Sequence, residues 1–183
     1  MLLVGPEGSG KSHLASLWAE KAGASVIDAA RLGGAERPTW EESAAIAIED
    51  ADRVGAAEAP LFHIVNAALQ RESFLLVTAR AAPDAWGLRT PDLLSRLRLA
   101  PLVRLESPDL ELIEAALFKL FADRQLTVEP RVAAYIAPRI ERSLAAARAF
   151  VAALDREALA RGRKVTRAMA SEILRAAPET DEP

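Results

Sequence analysis

The run Gly5-Pro6-Glu7-Gly8-Ser9-Gly10-Lys11-Ser12 constrains this chain more than any other segment. It matches G-x-x-x-x-G-K-[ST], the pattern of a phosphate-binding loop. Each position has a reason. Glycines let the backbone curl until successive N–H groups face one anion, and the helix that follows adds its positive N-terminal end. Lys11 reaches the β- and γ-phosphates, and the Ser12 hydroxyl suits Mg²⁺. The alternative is a chance glycine-rich turn, and the context argues against it. Met1-Leu2-Leu3-Val4 reads as a short buried strand, and Leu14, Leu17 and Trp18 recur at helical spacing until Gly23. Gly5 through Ser12, with His13 at the edge, are therefore the candidate nucleotide contacts, for ATP or ADP. His13 also fits a packing or solvent-facing role, and His63, inside an apolar helix, fits a structural one.

A strand–loop–helix opening calls for more strands, and the chain supplies them. Ser25-Val26-Ile27-Asp28 is a second strand, Arg31 to Pro38 a loop, and Thr39 with Glu42 a capping box for a short helix. Ala44 to Ile48 is an apolar strand ending in Glu49-Asp50. A helix from about Pro60 to Arg71 carries Phe62, Val65 and Leu69 on one face. Phe74–Thr78 and Leu102–Leu105 are further strands, with a helix starting at Thr90-Pro91 between them. After Ser107-Pro108 only helical periodicity remains. Leu110, Ile113, Leu117, Leu120 and Phe121 make one stripe. Pro130 opens a helix with Val132, Tyr135 and Ile136. Leu144, Ala147, Val151, Leu154 and Ala158 make a third stripe, stopped near Gly162, and Thr166 caps a fourth with Met169, Ile173 and Leu174. The expected fold is α/β: a parallel sheet flanked by helices over residues 1–106, then an all-α lid over 107–177. Residues 178–183, with three acids and no apolar side chain, are expected to be a disordered tail.

Composition removes several function classes. Among 183 residues there is no cysteine and there are two histidines, which rules out thiolate catalysis and argues against a metal cluster of those ligands. The net charge of −3 does not suit a strongly basic nucleic-acid binder. It divides into −3 over residues 1–106, +3 over 107–177 and −3 over the tail. No apolar run spans a bilayer, and Met1–Val4 is too short for a signal peptide, so the expectation is a cytoplasmic protein with no membrane partner.

A phosphate-loop NTPase also needs a carboxylate at the end of a neighbouring strand. Glu49 is the candidate magnesium-side acid, with Ser12, and Asp50 the candidate water-positioning acid. The usual order puts Asp first. Here the longer Glu leads, which displaces the metal-side oxygen and weakens hydrolysis. Solvated loop acids, with Asp52 continuing the run, are the alternative.

The segments Leu3–Leu14, Phe62–Ala67, Leu76-Val77-Thr78-Ala79-Arg80 and Pro91–Leu97, in that order and followed by helices, resemble the AAA+ ATPases of the DnaA family. The stretch Arg139–Asp155 is similar to its alphaproteobacterial regulatory-inactivator members, the HdaA type. The resemblance covers nearly the whole chain. It implies that Thr78 is a polar sensor of the γ-phosphate. It implies that Arg96 is an arginine finger reaching a neighbour's nucleotide, where a guanidinium stabilises transition-state charge. Arg96, Arg98 and Arg104 as solvated surface charges are the other reading. The family's second sensor falls on Ala145. Arg148, one turn later, either takes that role or is a snorkelling edge residue. The implied partners are DnaA loaded with ATP, the DNA polymerase sliding clamp and a second copy of the chain. No sequence-specific DNA binding is expected, because no helix-turn-helix follows the lid, which favours the regulator over the initiator. The clamp-docking segment typical of the family is not visible before Met1. The implied function is promotion of hydrolysis of DnaA-bound ATP, hence negative regulation of replication initiation. The alternatives are a nucleotide-binding interaction module with negligible turnover, a clamp-loader- or helicase-loader-like AAA+ protein, and a small phosphate-loop kinase.

Overall fold

The computed structural model describes residues 1–34, 40 and 43–176. The capping box at Thr39 and Glu42, residues 35–38 of the preceding loop and the acidic tail lie outside the described residues. Apolar runs too short for helices form the strands β1 (Leu2–Val4), β2 (Ser25–Asp28), β3 (Ala45–Glu49), β4 (Phe74–Ala79) and β5 (Leu102–Arg104). Every pairing is parallel, in the order β2-β3-β4-β1-β5. β1 is paired on both sides, with Leu3 opposite Thr78 of β4 and Val103 of β5. A strand covered on both faces and both edges must be apolar throughout, and Leu2, Leu3 and Val4 are all buried.

Side-chain alternation splits the sheet into two faces. On one, Leu2, Ile46, Ile48 and Val77 pack with Leu61, Ile64 and Val65 of α2 (Glu58–Gln70) and Leu93 and Leu97 of α3 (Pro91–Leu99). On the other, Leu3 and Leu76 pack against Ala15, with Trp18 alongside, on α1 (Lys11–Ala22). The buried sides of α1 and α2 differ from the stripes their large residues suggest. Leu14 and Leu17 are exposed while Ala15 and Ala19 are buried, because alanines let α1 approach the sheet closely. On α2 the inward residues are Leu61, Ile64, Val65 and Ala68, whereas Leu69 is 58% exposed.

The chain divides into two compact units, Met1–Glu106 and Ser107–Pro183. The second contains α4 (Leu110–Asp123), α5 (Pro130–Ile136), α6 (Leu144–Arg161) and α7 (Arg167–Ala176). Their inner faces meet in one core that includes Ile113, Leu117, Phe121, Ile136, Val151 and Leu154. Three of these helices begin at side-chain caps, each of which satisfies an otherwise unpaired first-turn N–H. Asp109 accepts from the Leu112 N–H at 2.7 Å, Ser143 from Ala146 at 3.0 Å and Thr166 from Met169 at 3.3 Å. No helix among the described residues is long and apolar enough to cross a membrane.

One long-range contact sets where α3 begins. Glu58, in the first turn of α2, accepts from the backbone N–H groups of Arg89 and Thr90 at 2.8–3.1 Å. These bonds, that from Arg89 foremost, hold its carboxyl below the usual glutamate range. A carboxyl whose pKa is lowered by folding adds stability above its unfolded pKa, and that stability is lost as the pH falls. Glu58→Gln is therefore expected to lower the thermal midpoint at pH 7, with the gap to wild type closing as the pH drops below the glutamate range. A gap that stays constant with pH contradicts this.

Candidate functional site

Gly5 leaves the end of β1 with its N–H bonded to the Ala79 carbonyl of β4 at 3.2 Å. A Cβ at Gly5 would stand 2.5 Å from the Leu105 carbonyl oxygen, so only glycine fits between the two neighbouring strands. The loop then turns through Gly8 (φ 75°) and Gly10 (φ 94°) into α1. Lys11 opens that helix and is 6% exposed. Its Nζ donates to the carbonyls of Gly5 and Pro6, both at 2.7 Å. Burial pushes the Lys11 ammonium below the ordinary lysine range, opposed by the charges of Asp50, Asp52 and Glu7. Ser9 Oγ is buried with no hydrogen-bond partner. Pro6, Glu7, Ser12 and His13 are exposed at the loop or in the first turn of α1. A cradle no Cβ can enter, an orphaned hydroxyl and an ammonium already folded over the loop fit a bound polyphosphate.

The carboxylates lie at the adjoining strand ends. β4 separates β3 from β1, so Glu49 ends a strand one place removed from the loop's own. Glu49 stands opposite Asp28 of β2. Burial, then the charges of Asp50 and Asp28, push its carboxyl above the usual range. Asp50 follows in the left-handed region at φ 51° and ψ 45°, a conformation Asp tolerates better than most side chains. Its carboxylate lies 3.7 Å from the Arg53 guanidinium. Its N–H donates to Thr78 Oγ1 at 3.1 Å. Thr78 is 1% exposed, so its hydroxyl acts on this site by holding the backbone of the acid turn. No group of three or more His, Asp or Glu is placed to hold a metal by itself among the described residues. Ser12 and Glu49 offer the hard oxygen donors that Mg²⁺ takes when phosphates and water complete its shell.

Arg80, the residue after β4, is the participant that the sequence did not single out. Its Nε donates to Asp52 Oδ2 at 2.6 Å and its backbone N–H to Asp52 Oδ1 at 3.2 Å. Both oxygens of the nearly buried Asp52 carboxylate are thereby engaged. The Leu76–Arg80 segment was visible as a motif, but nothing in it pointed to a partner 28 positions upstream.

Arg96 lies elsewhere. It is exposed on α3, its guanidinium carbon 5.6 Å from the Phe62 ring centroid. It lines a cavity of about 330 Å³ with Met1, Ser73, Leu75 and Pro101, which border the amino-terminal ends of β1, β4 and β5. The phosphate loop leaves the carboxyl-terminal end of β1, so the two lie at opposite ends of the strands. Arg98 is paired with Asp84. Arg148 is exposed on α6 in the second unit.

No protein-family model matches the sequence, and no curated protein matches it. Solved structures do match in fold. Domain III of the Thermotoga maritima replication initiation protein DnaA aligns with a TM-score of 0.82 over 98% of this chain and 84% of that one, at 15% identity. The fold is that of DnaA domain III. AMPPCP-bound DnaA from Aquifex aeolicus aligns at 0.70 and 16% identity, over 83% of this chain and 54% of that one. The Holliday junction branch migration motor RuvB of Thermotoga maritima aligns at 0.68 and 19%, over 96% and 60%. The chain thus spans less than two thirds of those two longer proteins. Similarity at this level establishes architecture, and function must be argued from the site.

Glu49 gives a direct test of the site's electrostatics. An acid whose pKa is raised by folding costs stability once the pH exceeds its unfolded pKa, and costs nothing where it is protonated in both states. Without nucleotide, Glu49→Gln is expected to raise the thermal midpoint at pH 8. The gain is expected to disappear at acid pH. A loss of stability at pH 8 contradicts the crowding of Glu49, Asp50 and Asp28.

Proposed function

We propose that the chain is a nucleotide-dependent regulator with two working ends. At one end the phosphate loop binds ATP or ADP with Mg²⁺. Lys11 and the loop N–H groups hold the phosphates, while Ser12 and Glu49 face the metal and Asp50 the attacking water. Bound Mg²⁺ offsets charge on the β- and γ-phosphate oxygens. At the other end Arg96 serves the nucleotide of a neighbouring AAA+ subunit. The observation that carries this reading is the position of Arg96. It is an exposed guanidinium on the far side of the sheet from the chain's own loop, so it acts on another molecule or on none. The neighbour that fits is DnaA loaded with ATP, with the sliding clamp bringing the two together on DNA. Hydrolysis of that ATP then turns the initiator off. The DnaA fold supports the choice of partner, and the AMPPCP held by Aquifex DnaA supports nucleotide at the loop.

The local geometry also favours a chain with little turnover of its own. Glu49 leads the acid pair with a carboxyl that resists ionisation, and the Asp50 carboxylate leans toward Arg53. On this second reading the chain binds nucleotide and acts purely as an interaction module. Steady-state hydrolysis by the isolated chain tests this second reading. A substantial rate abolished by Asp50→Asn contradicts the module.

The regulator is tested by turnover of DnaA-bound ATP in the presence of DNA-loaded clamp. Wild type is expected to accelerate it, Arg96→Ala to return it to the rate of DnaA alone, and Arg98→Ala to behave as wild type. Arginine fingers contribute about 10³–10⁵ in rate in well-studied NTPases. Equal turnover with wild type and Arg96→Ala removes the claim.

A further inference from the structure

In the helical unit two arginines lie against one aromatic ring. The Arg139 guanidinium carbon is 4.1 Å from the Tyr135 ring centroid, and that of Arg167 is 4.4 Å from it. Arg139 follows Tyr135 by four positions, and its Nη1 also donates to the Tyr135 carbonyl at 2.9 Å. Arg167 opens α7, and Ser171 and Arg175 follow it at four-residue steps, which puts all three on one face of that helix. Arg175 Nη2 donates to Ser171 Oγ at 3.0 Å. A hydrogen bond from Ser171, and after it the charges of Arg139 and Arg167, push the Tyr135 phenol below the ordinary tyrosine range. The three arginines are exposed. Like charges gathered in this way repel, and the negative face of the ring offsets only part of that. No carboxylate among the described residues lies within ion-pair distance of Arg139, Arg167 or Arg175. Glu172, beside Ser171 on α7, is paired with Arg161, and Glu129 with Arg131. Glu141, two positions from Arg139, forms an ion pair with none of the three. The cluster thus lacks an anion, and exposed guanidinium edges suit a planar, doubly donating contact with phosphate oxygens.

We infer that Arg139, Arg167 and Arg175 form a site on the helical unit for the phosphate backbone of duplex DNA, and that Tyr135 positions the first two. Arginines eight residues apart on a helix stand about 12 Å apart along its axis. That span suits an extended polyanion and exceeds one small anion. Duplex DNA is such a polyanion, with one charge per about 1.7 Å of axis. The Tyr135 ring is taken up by two guanidiniums rather than left free to stack on a base, so the contact engages phosphate and carries no sequence information. The chain's net charge of −3 does not oppose this, because residues 107–177 carry +3 and the excess acids lie in residues 1–106 and 178–183. The site is independent of the phosphate loop and of Arg96.

The test is fluorescence anisotropy of a labelled duplex of about 20 base pairs, titrated with the full chain at several salt concentrations, with thermal unfolding as the folding control. Wild type is expected to bind with a Kd of about 10⁻⁶–10⁻⁴ M at physiological salt, and the logarithm of its affinity to fall against that of salt with a slope of about −3, for three phosphate contacts. Arg139→Ala and Arg167→Ala are each expected to weaken binding about 5- to 15-fold at about 50 mM salt and to reduce the slope by about one. Tyr135→Phe keeps the ring and is expected to stay within about twofold of wild type. Lys119→Ala removes the same charge from the same unit, but Lys119 is paired with Asp123, and the variant is expected to bind within about twofold of wild type. Equal weakening by Lys119→Ala and the arginine variants overturns the inference, because overall charge then explains the binding. No binding by wild type at about 25 mM salt overturns it as well. Polyglutamate that displaces the duplex as well as unlabelled DNA does at equal charge removes the assignment to nucleic acid.

Discussion

Leu2, Leu3 and Val4 are bonded to β4 on one side and to β5 on the other, and the solvent hardly reaches them. The candidate site depends on that double pairing. It fixes Gly5 between the Ala79 carbonyl and the Leu105 carbonyl, where the space excludes a Cβ. It brings the end of β4, and so Arg80, to the edge of the loop. The parallel register that places Leu3 beside Thr78 also puts Thr78 where its hydroxyl meets the Asp50 backbone. A three-residue strand holds this position because its pairing is complete and its side chains are apolar on both faces.

Charge is the second organising constraint. Around the loop stand Glu7, Asp50 and Asp52 with the cations Lys11 and Arg80. Lys11 is covered and bonded to the loop's own carbonyls, so its ammonium is desolvated yet not orphaned. A phosphate chain bound here would replace carbonyl oxygens with charged ones as the partners of Lys11. Glu49 is the complement of this. Its ionised form is destabilised by burial and then by Asp50 and Asp28, and a bound divalent cation would relieve that cost. The strain belongs to the site and the stability to the apolar sheet behind it.

Much of the fold was legible because the signals are local. Strand–loop–helix at residues 2–22, β2 at Ser25–Asp28, Pro91 opening α3 and the cap at Thr166 all follow from residues within a few positions of each other. The candidate loop followed from one motif and its context, whereas the strand order β2-β3-β4-β1-β5 did not. The less visible features are long-range or small. No periodicity shows that Ala15 and Ala19, rather than Leu14 and Leu17, face the sheet, since that depends on how closely the helix packs. Glu58 reaches residues 89 and 90, and Asp52 reaches Arg80. Such pairs are set by the way strands stack in the folded sheet, and their spacing in the chain carries no record of it. The acid pair Glu49-Asp50 stands out in the sequence, but the left-handed turn at Asp50 and the burial of Thr78 do not.

The central claim is that the loop at Gly5–Ser12 is a nucleotide site rather than a structural turn. Calorimetric titration of MgADP into wild type and Lys11→Ala tests it most directly. A nucleotide site predicts saturable binding by wild type with a Kd on the order of micromolar, and loss of most of that affinity in Lys11→Ala while the protein stays folded. No heat at millimolar nucleotide, or equal binding by the two proteins, contradicts it.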